Sequence, residues 1–148
     1  MIFSLLMLAS TSTPAVAKID DALLRGLPTV ETVLTAHGIS QKCSGPSLSS
    51  VLDRLGYPKG NQLRGAALET GVIVRGRDGY AVLFSLGELD EALGASVVVL
   101  ATQCEGKAIS ETDGPYRLVV PNELRAARSV RQVAFIEGIS SKSNLTGK

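Results

Sequence analysis

The sequence has no tryptophan and only three phenylalanines and three tyrosines. Single-stranded nucleic acid is held by stacking on aromatic rings, so a chain this poor in them lacks the usual platform. An excess of charge is missing as well. The formal net charge is +1, which gives no electrostatic case for nucleic acid or an anionic membrane as partner. With two cysteines and one histidine, the chain has too few soft donors for a tetrahedral structural zinc site. The apolar run at residues 2–9 is too short to cross a bilayer as a helix, so no membrane span is expected. What is left is 45% hydrophobic and 20% charged residues over a length of 148. That is the composition of one small domain with its own core.

The same apolar run reads as the middle of a signal peptide. It is followed by Ser10-Thr11-Ser12-Thr13-Pro14 and then by Ala15-Val16-Ala17, a small-x-small site that predicts cleavage after Ala17. No Lys or Arg precedes the run, which departs from the usual basic start. The expected location is periplasmic or secreted, with the mature protein beginning at Lys18.

Past that point the pattern alternates between short β-rich and short helical pieces. A helical turn is expected over residues 18–26, with Leu23, Leu24 and Leu27 on its apolar side and Pro28 ending it. Residues 29–37, rich in Thr and Val, predict a strand, and residues 38–45 a polar loop. Pro46 opens a predicted helix whose Leu48, Val51, Leu52 and Leu55 share a face, with Gly56 closing it. A turn of helix is expected within residues 61–69. Residues 70–75 and 80–84 predict a hairpin around Gly76-Arg77-Asp78-Gly79. Ser85 and Glu88 have the spacing of a capping box. The continuous apolar run at 96–102 predicts a buried central strand, with further strands at 117–120 and 130–137. Residues 140–148 read as a polar tail holding the glycosylation-type sequence Asn144-Leu145-Thr146.

Few side chains stand out as chemistry. In an exported protein Cys43 and Cys104 default to a disulfide, with two free thiols, or a metal or reactive role, as the alternatives. His37 has no partner set that would make it catalytic. Asp20-Asp21 and Asp90-Glu91 are neighbours in sequence, and such side chains diverge instead of facing one another. Arg125, Arg128 and Arg131 recur every three residues, the spacing of an anion site or of a solvated basic edge.

Four motifs in order resemble the sulfite-oxidase-type molybdopterin domain. They are Gly45-Pro46-Ser47-Leu48 with Val51-Leu52; Asp78-Gly79-Tyr80 with Phe84-Ser85-Leu86 and Glu88-Leu89; residues 114–121 (Gly-Pro-Tyr-Arg-Leu-Val-Val-Pro); and Ala127-Arg128-Ser129-Val130-Arg131. The likeness covers about residues 29–137, the C-terminal part of that domain. It implies an α+β fold with a mostly antiparallel, barrel-like sheet and short helices. It also implies that Arg128, Ser129 and Arg131 contact a cofactor phosphate or a similar anion. In the enzymes of that family a cysteine well upstream of the Gly-Val-x-Leu helix ligates molybdenum. Here the only upstream cysteine is Cys43, two residues before Gly45, and the upstream basic segment is missing. The expectation is therefore a signal peptide at 1–17, one domain at 18–139 and a tail at 140–148. Its role would be an exported binding protein with no catalytic residue, no metal and no working molybdenum site. Its partner would be a small anionic ligand or a protein. The rival expectations are a molybdopterin-dependent oxidoreductase subunit, with the phosphate on the 128–131 loop, and a ligand-free structural or interaction domain.

Overall fold

The computed structural model describes residues 16–141. Most of the predicted signal peptide, and nearly all of the predicted tail with its 144–146 sequence, lie outside them.

Every strand pairing is antiparallel. One sheet runs β1 (Val16–Lys18), β10 (Val133–Ser140), β4 (Thr70–Gly76), β5 (Ala81–Ser85). A second runs β2 (Thr29–Ala36), β3 (Ile39–Pro46), β7 (Gln103–Cys104), β8 (Lys107–Ala108). A two-stranded piece pairs β6 (Val99–Ala101) with β9 (Arg117–Val119). Three short helices complete the fold: α1 (Asp21–Leu24), α2 (Leu48–Arg54) and α3 (Leu86–Leu89). Among the described residues no helix is long and apolar enough to cross a membrane.

The expected α+β, mostly antiparallel architecture is present; the barrel-like closure is not. Among the described residues β5 and β2 each keep one edge without a strand partner. The chain turns into α3 directly after β5, with Ser85 as the helix cap. The Ser85 hydroxyl accepts from Glu88 N–H at 3.1 Å, and the Glu88 carboxylate accepts from Ser85 N–H.

Local chemistry explains the elements. The apolar face predicted for α2 is the core, with Leu48, Val51 and Leu52 buried against Val72, Val74, Leu100 and Leu118. Each fully buried side chain of this size contributes about 1.5–3 kcal/mol relative to its exposed state. The helix starts two residues later than expected, at Leu48, because the Ser47 hydroxyl accepts from Ser50 N–H and serves as the cap. Pro46 instead ends β3. At the other end Gly56 has φ +89, Gly56 N–H donates to Asp53 and Tyr57 N–H donates to Leu52. This pair of bonds satisfies the last helical carbonyls in the way a left-handed glycine permits.

A further expectation is overturned. Residues 38–45 are not a loop but most of β3. His37 and Gly38 both have positive φ (52 and 76) between the paired residues Ala36 and Ile39. That is the two-residue turn whose twist matches a hairpin. The polar residues 40–42 are exposed, while Cys43, Gly45 and Pro46 are buried. The segment's polarity reflects where it lies on the sheet, not a lack of pairing.

The bond predicted to be cut, Ala17–Lys18, lies inside β1, where Ala17 faces Ile136 and Lys18 faces Phe135. Cleavage there removes two of the three β1 residues. It leaves buried Ile19 anchored through its N–H to the Ala134 carbonyl at 2.8 Å.

Candidate functional site

Cys43 and Cys104 oppose one another across β3 and β7 and form a disulfide, S–S 2.06 Å. The bridge closes a span of 61 residues and ties β3 to β7 within the second sheet. Both cysteines of the chain are consumed. No thiolate is left to ligate molybdenum, so the residues present do not fit that metal. Among the described residues no cluster of three or more His, Cys, Asp or Glu is placed to hold a metal ion.

A cleft of about 560 Å³ opens where four segments meet. The β2–β3 hairpin tip at residues 35–38 supplies part of its wall, Asp78 and Tyr80 of the β4–β5 hairpin another, and Arg117 of β9 with the 124–131 segment the rest. Interlocking loops hold these pieces. Gly76 lies so close to the Arg131 carbonyl that a Cβ there would be 2.6 Å from it. Arg77 N–H donates to the Gln132 carbonyl at 3.0 Å, and Gln132 N–H donates to Asp113 at 2.8 Å.

Three arginines line this cleft: Arg117, Arg125 and Arg131. Arg117 sits on β9 with its side chain only 9% exposed. Its Nη1 donates to Asp113 Oδ2 at 2.9 Å, while its buried Nε has no hydrogen-bond partner among the described residues. The other oxygen of Asp113 pairs with Arg131 Nε at 3.2 Å. One carboxylate thus bridges two guanidinium groups. Burial pulls the Arg117 pKa below its ordinary value; Asp113 opposes that shift and the nearby Arg131 charge adds to it. An arginine remains charged throughout, so the result is a buried positive charge only partly compensated. Arg125 makes no side-chain hydrogen bond or ion pair among the described residues.

The three predicted loop residues separate. Arg131 lines the cleft, half exposed. Ser129 also lines it, buried, with its hydroxyl accepting from Val120 N–H at 3.4 Å. Arg128 turns the other way. It donates to Glu123 at 2.7 Å, pairs with Glu88 at 3.3 Å and stacks over the Phe84 ring at 4.6 Å. The Glu123 hydrogen bond leads the causes that raise its pKa. Arg128 ends a 3-10 turn over residues 126–128 and Arg131 lies beyond it, so the every-third spacing does not make one stripe. Arg117 was legible only as a strand residue; its charge within an otherwise apolar strand was the available signal.

The remaining charged candidates are structural. Asp20 caps α1 by accepting from Leu23 N–H at 2.9 Å, and Asp21 accepts from the Tyr116 hydroxyl. Asp90 accepts from Gly60 N–H at 2.8 Å. His37 lines the cleft from the hairpin tip, and Cys43 is not available to it as a thiolate. No protein-family model matches the chain, and no curated protein matches it.

Proposed function

We propose that this is an exported binding module, related to the sulfite-oxidase-type molybdopterin domain but without a molybdenum centre, that holds a small anion in the arginine-lined cleft. The observation that carries this reading is Arg117. A nearly buried guanidinium with an unpartnered nitrogen, sharing its single counter-ion with Arg131, is a costly arrangement for a domain with no ligand. Planar guanidinium forks are suited to carboxylate or phosphate oxygens. Ser129 adds a hydroxyl on the same wall. Export is supported by the small-x-small site after the apolar run and by the disulfide, which belongs to oxidising compartments.

Titration of the protein with sulfate and with phosphate, followed by amide NMR shifts, tests the site. Saturable shifts should centre on residues 117, 129 and 131. Arg131→Ala, at a half-exposed position, should weaken binding by about 1.5–3 kcal/mol, the usual worth of a charge-assisted bond. The loss should shrink as salt rises. Arg128→Ala should leave the affinity within about twofold, because its charge is spent on Glu123 and Glu88. Absence of saturable binding by any anion would overturn the reading, as would one molybdenum per chain in natively purified protein.

A further inference from the structure

A bare inorganic anion would leave most of a 560 Å³ cleft empty, whereas that volume is in the range of pockets that enclose whole organic ligands. Three observations narrow the ligand class, and all rest on the anion-site reading above.

The first is charge. Arg117, Arg125 and Arg131 line the cleft together with Asp78, and Asp113 pairs with Arg117 and Arg131. Three guanidinium groups less two carboxylates leave one positive charge. A carboxylate ligand carries one negative charge, whereas a phosphate monoester carries about 1.5–2 at neutral pH.

The second is shape. The group that already bridges Arg117 and Arg131 is a planar carboxylate, one oxygen on each guanidinium. Nη2 of Arg117 and both terminal nitrogens of Arg131 have no partner among the described residues. They can repeat that geometry for a second carboxylate without displacing Asp113.

The third is the apolar rim. Leu124 lines the cleft and is fully exposed (105%), a position with no packing role to explain it. Tyr80 lines it half exposed, with its hydroxyl donating to the Ala127 carbonyl. That bond fixes the ring and leaves its surface for a ligand. Aromatic surface held in place binds apolar groups at little entropic cost.

We propose that the cleft binds a monocarboxylate with an apolar or aromatic body, its head on Arg117 and Arg131 and its body against Tyr80 and Leu124. Calorimetric titration of the exported protein with four probes tests this: 4-phenylbutyrate, acetate, phenyl phosphate and the uncharged 4-phenylbutanamide. Phenylbutyrate should bind at least about tenfold tighter than each of the other three, from combined head and body contacts. Leu124→Ala, at a fully exposed site that cannot disturb the core, should narrow the gap between phenylbutyrate and acetate about threefold. Tighter binding of phenyl phosphate would overturn the carboxylate assignment while leaving the anion site standing. Equal affinity for acetate and phenylbutyrate would remove the apolar body. Binding of phenylbutanamide as tight as phenylbutyrate would remove the charged head. No binding of any anionic probe, together with none of sulfate or phosphate, would sink the anion site itself.

Discussion

At the scale of single residues, a charge's neighbours matter more than its place in the sequence. Arg128 and Arg131 are three positions apart, yet one is clamped by two carboxylates and a phenyl ring while the other shares a single carboxylate with Arg117. Tyr116 shows the same dependence. Burial first, then its hydrogen bond to Asp21, pushes its pKa up from the ordinary 10.0 to about 12. The folded protein therefore holds the phenol proton more tightly than the unfolded chain does. The stability tied to that proton is complete below pH 10 and is lost as pH climbs towards about 12. Tyr116→Phe removes both the bond and the titration. Urea unfolding at neutral pH should show the variant about 1.5–3 kcal/mol less stable, the worth of a bond to a charged acceptor. The difference from the parent should close as pH passes from 10 to about 12. Equal stability at neutral pH would show that the Asp21 bond contributes nothing net.

At the scale of elements, turn and cap chemistry was readable because it depends on a few adjacent residues. The β4–β5 hairpin, with Gly79 at φ +87, lies at the predicted Asp-Gly. The Ser85–Glu88 box and the Gly56 terminus are also where they were expected. The β2–β3 hairpin was missed since its turn is His-Gly, not Asn-Gly or Asp-Gly, and its second strand has no strong apolar alternation. Gly45 was read as a helix-start residue; its importance is a close strand crossing. A Cβ there would lie 2.1 Å from the Leu100 carbonyl oxygen and 2.9 Å from the Ala101 Cα, both backbone atoms. Gly45→Ala should cost about 3 kcal/mol by forcing β3 from β6. Gly87→Ala is the contrast: inside α3 a Cβ meets only Leu68 and Leu93 side-chain carbons, at 3.7 and 3.9 Å. That change should be neutral or stabilising by up to about 1 kcal/mol. Thermal unfolding of the two variants separates the positions, and similar melting temperatures would refute the crossing argument.

At the scale of the whole molecule, the disulfide joins segments 61 residues apart. On the chain-entropy argument a loop of that length is worth about 4 kcal/mol, a large share of the roughly 5–15 kcal/mol that holds a domain folded. The Cys43→Ala/Cys104→Ala double variant should lose about that much in denaturant titration. Intact mass of the protein recovered from outside the cytoplasm reads two claims at once. It should lack residues 1–17 and be lighter than the reduced form by the two thiol hydrogens. A mass that retains the first seventeen residues would sink the export reading, and two labelled thiols after unfolding without reductant would contradict the bridge.

The amino-acid sequence by itself determined the short local devices: the capped start of α3, the glycine stop at Gly56, the Asp-Gly hairpin and the apolar runs that became β4, β6 and β9. Each depends on backbone preference or burial within a window of a few residues, which linear order displays. The two cysteines allowed a single pairing, but free thiols stayed open until β3 and β7 were seen to set them opposite one another. Tertiary structure alone decided that the sheets stay open, that β3 is a strand, and that the cleft gathers Arg117, Arg125 and Arg131 while turning Arg128 away. Those outcomes follow from contacts between segments far apart in sequence, such as Asp113 with Arg131 and Gly76 beneath Arg131. A guanidinium reads the same in sequence whether it meets a carboxylate, a ring or an empty cleft, and only packing chooses among them.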